Sequence, residues 1–102
     1  TTCQALGVTG IVLCARGRDS EPLRARHFTT SLKGTEDPVT GGAAGAILAF
    51  YRDADKNLEQ IQIYQGGFAT RGGLMRARFE AASGEAWIGG EAVKIAEGEL
   101  FL

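Results

Sequence analysis

At 102 residues, 44% hydrophobic and 23% charged, the chain has the size and apolar content of one folded domain rather than two. Eleven basic residues against twelve acidic ones leave no positive field, which argues against nucleic acid or an anionic membrane surface as a partner. Two cysteines, Cys3 and Cys14, are too few for a disulfide framework and share no metal-ligand spacing with the one histidine, His27, so no metal is expected.

The opening Thr1-Thr2 has no initiator methionine and no charged n-region ahead of an apolar run, so no signal peptide is expected and the chain reads as a fragment or a processed product. Thr9 to Arg16 is a β-branched apolar run closed by Gly17-Arg18-Asp19-Ser20, the pattern of a strand and a turn. Cys14 within it reads as a small buried core residue, and reduced thiols suit a cytoplasmic protein. Leu23 to Phe28 alternates as a second strand, in which His27 points away from Arg26 and Phe28 and reads as a solvent-facing or loosely bonded side chain.

Glu36-Asp37-Pro38-Val39-Thr40 is a tight turn that runs into an uncharged stretch from Gly41 to Tyr51. Small residues recur there at Gly42, Gly45, Ala46 and Ala49, one helical face, with Ile47, Leu48, Phe50 and Tyr51 on the other side. A helix apolar all round is expected to be enclosed. About 16 Å of helix cannot span a bilayer, so the enclosure is expected to be protein. Thr40 is the expected N-cap, and the glycines after it leave amides with nothing in front of them. Those amides and the macrodipole make the helix start a site for a small carboxylate, with the Asp37 carboxyl in reach for proton transfer.

Beyond the polar segment Arg52 to Asn57 the chain reads as hairpins. Ile61, Ile63 and Gln65 alternate with Gln62, Tyr64 and Gly66, and Met75, Ala77 and Phe79 alternate with Arg76, Arg78 and Glu80. Ala82-Ser83-Gly84-Glu85 turns into the strand Ala86-Trp87-Ile88, and Gly89-Gly90 reverses into Ala92-Val93-Lys94-Ile95, with Leu100-Phe101-Leu102 after a last turn. The fold class is α+β, a curled and mainly antiparallel sheet wrapped around one buried central helix.

The order Glu36-Asp37-Pro38-Val39-Thr40-Gly41, followed by small residues and an apolar helix, resembles the signature of the PhzF-like phenazine-biosynthesis isomerases. Arg26-x-Phe28, Gln65-Gly66, Arg71-Gly72, Gly90-Glu91-Ala92-Val93 and Glu97-Gly98-Glu99-Leu100 extend the resemblance over nearly the whole chain. It implies one lobe, the C-terminal half, of a diaminopimelate-epimerase fold, whose site lies between two lobes at facing helix N-termini. It implies a cofactor-independent isomerase with Asp37 as catalytic residue. Thr40, Gly41, Gly42 and Ala43 would then hold the substrate carboxylate, and the general acid/base glutamate would lie on the absent half. The implied partners are a small carboxylate metabolite and a second lobe, as a homodimer or a hetero-pair. Two readings stand beside it: a non-catalytic small-carboxylate binding module, and a structural or interaction domain whose loop only caps a core helix.

Overall fold

In a computed structural model, which describes residues 2–30, 36–68 and 71–102, the chain is an α+β domain. Its elements are α1 (Thr2–Leu6), β1 (Gly10–Ala15), β2 (Leu23–Thr29), β3 (Glu36–Asp37), α2 (Gly41–Ala54), β4 (Gln60–Gly66), β5 (Gly72–Glu80) and β6 (Glu85–Gly90). The strands form one mainly antiparallel sheet in the order β1-β2-β4-β5-β6, with the two-residue β3 added to β2, and the sheet does not close into a barrel. The exception is β2 with β4, which run parallel with Leu23 opposite Ile63 and Ala25 opposite Gln65. A parallel neighbour cannot be reached by a tight hairpin. The Asp-Pro loop and α2 are the crossover that carries the chain from one to the other.

Alternation places the core as expected. Ile63, Met75 and Ala77 point inward and are buried with Ala25, against Ala44, Ile47 and Leu48 of α2. Arg76 and Arg78 stand on the opposite, exposed face of β5. At the far end of α2 the Arg52 guanidinium lies 3.7 Å from the Phe79 ring centroid and donates to the Leu58 carbonyl, which fixes the helix to the strands that follow it.

The enclosure of α2 is narrower than its composition predicts. Ala43, Ala44, Ile47 and Leu48 face the sheet, whereas Gly42, Ala46 and Ala49 form an outward stripe and Phe50 is 69% exposed. Successive residues are about 100° apart, so one sheet covers only one side of a helix. Phe50 falls at the rim and packs edge-on against Tyr51, ring centroids 5.4 Å apart.

Three other expectations are corrected. Gly89 and Gly90 do not reverse the chain, because both stay in the β6 ladder opposite Arg76 and Met75. Residues 91–102 consequently leave the sheet and run on without regular secondary structure, so Ala92 to Ile95 and Leu100 to Leu102 are exposed and are not strands. Cys14 is exposed rather than buried, since it lies in the uncovered half of the edge strand β1. The buried thiol is that of Cys3, on the short helix α1 that no sequence pattern announces.

Gly66 is where the sheet makes room for the loop. Its φ of +80° is one that a side chain strains, and a Cβ there would sit 2.7 Å from the carbonyl oxygens of both Pro38 and Arg71. Gly73 does the same for Val39, whose methyl would lie 2.7 Å from a Cβ. Gly66→Ala should cost about 1–3 kcal/mol from backbone conformation alone, and should move the amide resonances of Asp37 and Thr40. A urea midpoint and an amide spectrum both unchanged from the parent would show that the loop is not seated in this way.

Candidate active site

Register builds the site. His27 pairs with Asp37 and Phe28 with Glu36 across β2 and β3, so the alternation of the two strands sorts these side chains onto opposite faces. On one face the Arg26 guanidinium meets Glu36 through Nε at 3.0 Å and Nη2 at 2.8 Å, a two-point clasp, and lies 5.0 Å from the Phe28 ring centroid and 4.5 Å from that of Phe68. On the other, His27, Asp37 and Thr40 come together with Gln65 from β4.

Thr40 stands at the centre of that group. Its Oγ1 donates to Asp37 Oδ2 at 2.5 Å, accepts from Gln65 Nε2 at 2.9 Å, and lies 2.8 Å from His27 Nδ1. Gln65 is fully buried and also donates to the Asp37 carbonyl at 2.9 Å, so one amide fixes both ends of the turn. Its Oε1 has no hydrogen-bond partner among the described residues.

Because the Thr40 hydroxyl is engaged in this way, it does not cap α2. Thr40 has the extended backbone of an N-cap and its carbonyl accepts from Ala44 at 3.2 Å, yet its side chain makes no capping bond. The amides of Gly41, Gly42 and Ala43 are therefore left at the positive end of the helix without that acceptor. Gly41 and Gly42 are exposed and Ala43 is buried. A Cβ on Gly42 would meet nothing within 4 Å, and one on Gly41 would reach only ordinary contact with Ile88 at 3.9 Å. Packing within this chain thus does not demand glycine at either position, and their effect is to keep the front of the amides open.

The structure accordingly brings Asp37 and Thr40 into hydrogen-bond contact, and the chain turn sets Gly41, Gly42 and Ala43 directly behind them. Two further members, His27 and Gln65, were not assigned to the site from sequence. The strand pattern alone makes His27 solvent-facing or loosely bonded. It is half-buried and joined to Thr40 and, at 3.6 Å, to the Asp37 carboxylate. The inward alternation of Ile61, Ile63 and Gln65 is the signal that places Gln65 in the interior, where an amide must find partners. Two surface clefts, of about 410 and 350 Å³, lie elsewhere, one beside Trp87 on the β4-β5-β6 face and one beside Tyr51 and Leu58. Among the described residues no cluster of His, Cys, Asp and Glu is arranged to hold a metal, and no helix is long and apolar enough to cross a membrane.

Residues 1–98 match the family described as phenazine biosynthesis-like protein. The chain belongs to that family. An uncharacterized isomerase of Mesorhizobium japonicum is 39% identical over 88 residues, covering 76% of this chain and 29% of the relative. The chain thus spans less than a third of the length of that protein. No solved structure matches it.

In this phenazine biosynthesis-like chain the Arg26–Glu36 clasp serves the site by tying β3, and with it Asp37, to β2. The hydrogen bonds from Arg26, more than its charge, hold the Glu36 carboxyl below the ordinary carboxylate range. A group whose folded pKa is depressed contributes stability that is complete above its unfolded value, about 4.3, and lost as pH falls through the lower folded one. Glu36→Gln should therefore unfold at lower urea than the parent near pH 7, with the gap closing as pH falls below about 4. A gap of constant size from pH 7 to pH 2 would rule out the ionic contribution.

Proposed function

We propose that this chain is one lobe, the C-terminal one, of a cofactor-independent PhzF-like isomerase that moves a proton on a small carboxylate-bearing metabolite, in a site completed by a second lobe. The observation that carries the reading is the Asp37 carboxyl bonded to Thr40 directly in front of an uncapped helix N-terminus. Such a terminus takes a carboxylate ligand on Gly41, Gly42 and Ala43. The ligand's charge close to Asp37 favours the protonated acid, since two like charges at short range do not both ionise cheaply. A protonated Asp37 then delivers its proton to the carbon or oxygen next to that carboxylate, and its ionised form takes one away.

The name of the relative supports the isomerase class, and the outward surface supports the second lobe. The Gly42-Ala46-Ala49 stripe, Phe50 and the apolar residues of 91–102 are uncovered in this chain, and the front of the helix is open to water, which weakens every charge interaction there. A cytoplasmic, biosynthetic homodimer or hetero-pair follows from this reading.

Calorimetry with a panel of small carboxylates between about pH 5 and 8 tests it. The parent should bind, Asp37→Ala should bind with an altered pH dependence, and Gly42→Leu should not bind. The open space at Gly42 makes that last variant a probe of the ligand rather than of folding. Equal binding by all three proteins would leave the loop as a helix cap and nothing more.

A further inference from the structure

The hydrogen-bond inventory at Thr40 fixes a proton position. Oγ1 carries one hydrogen and two lone pairs, and it lies within bonding distance of three groups. The ionised Asp37 only accepts, so the hydroxyl proton goes to it. Gln65 presents its NH₂, because the same nitrogen donates to the Asp37 carbonyl and a flipped amide would set oxygen against oxygen. One lone pair of Oγ1 remains, and only a proton on His27 Nδ1 satisfies it. Neutral His27 is therefore the Nδ1–H tautomer, with its lone pair on Nε2.

That nitrogen has no hydrogen-bond partner among the described residues, and it lies over Gly10, where a Cβ would collide with it. Of the groups facing the ring, β1 offers Gly10 and Val12 and the first turn of α2 offers no charge, which leaves Asp37 from β3 as the charged neighbour among the described residues. Arg26 and Glu36 are turned to the other face of the two strands and are bonded to each other.

We propose that His27 is a positioning residue and the proton relay of Asp37, acting through the Thr40 hydroxyl. A proton from solvent adds to Nε2. The Nδ1–H bond breaks as that proton joins Oγ1, the original hydroxyl proton leaves Oγ1, and an O–H bond forms on Asp37 Oδ2. The chain ends with its polarity reversed. Asp37 donates to Thr40, Thr40 donates to Nδ1, the ring is the neutral Nε2–H tautomer, and Gln65 donates to Oγ1 as before. One proton has moved from water to Asp37 with every bond of the group retained. This deepens the reading of Asp37 as an acid and base whose proton exchanges with water, and it rests on that reading only for its purpose.

Nitrogen-15 NMR of the histidine ring in the chain itself tests the relay, together with the carboxyl carbon of Asp37 followed over pH. Above its titration the ring should be Nδ1–H, and the Asp37 signal should show a second inflection that coincides with the titration of His27. Thr40→Val should abolish both the tautomer preference and the second inflection, and Thr40→Ser, which keeps the hydroxyl, should restore both. A merely structural contact would also lose the tautomer preference in Thr40→Val, but would leave the Asp37 inflection unchanged, since His27 stays beside the carboxylate. An Nε2–H ring in the parent, or an Asp37 curve indifferent to Thr40→Val, overturns the relay. Failure of the carboxylate panel to bind would instead overturn the isomerase reading and leave the ring measurement standing.

Discussion

Leu48→Ala should destabilise the domain by about 2–5 kcal/mol, the cost of removing a fully enclosed aliphatic side chain and leaving a cavity that its neighbours fill incompletely. Leu48 is 1% exposed and sits in the layer between α2 and the sheet with Ile47, Ile63 and Met75. Against the roughly 5–15 kcal/mol that holds domains of this size together, that is a large fraction. Phe50→Ala is the control, and should stay within about 0.5 kcal/mol in the isolated chain because the ring is 69% exposed. Urea midpoints decide the matter: comparable losses in the two variants would mean that α2 is not packed on one side as described.

On the proposed two-lobe reading, Asp37→Asn should lower turnover of the completed assembly by about 10²–10⁴-fold, the usual contribution of a positioned acid or base. Asparagine retains the shape of the side chain and an oxygen to accept from Thr40, so it removes proton exchange while disturbing the turn little. The loss should then fall on kcat rather than KM, as it does when an interaction belongs to the transition state alone. Solvent deuterium uptake into the carboxylate substrate is the assay, and a variant within a few-fold of the parent would remove Asp37 from the chemistry.

The local elements were legible because their signals are local. Period-two alternation at Ile61 to Gln65 and Met75 to Phe79 placed β4 and β5 and their buried faces, and the uncharged run after Gly41 placed α2. Terminal stretches were read less well. Ala92 to Ile95 follows a glycine pair as the return strand of a hairpin would, but a strand exists only where a neighbour takes its hydrogen bonds, and the glycine pair carries no information about a partner. Cys14 failed for a related reason, since apolar character does not say whether an edge strand is covered along its whole length.

Of the site, Asp37 and the helix start were visible as a contiguous motif, whereas His27 and Gln65 were not. The bonds that bind those two to Thr40 join residues 13 and 25 positions apart, and sequence alone gives no such pairing. Only the parallel alignment of β2 with β4 brings Gln65 beneath the turn.

That alignment also decides what the site depends on. The β4-β5-β6 meander is stitched by near neighbours, whereas the bond from Gln65 to the Asp37 carbonyl closes a span of 28 residues, and the ordering entropy of that closure falls due before any contact repays it. A chain with its hairpins formed, and with Thr40 already on Asp37, therefore still lacks the Gln65 amide beneath the turn. On the proposed reading, the buried amide that pins Thr40 and the Asp37 carbonyl belongs to the most distant strand pairing among the described residues, so native-looking hairpins alone do not hold the site in its final geometry.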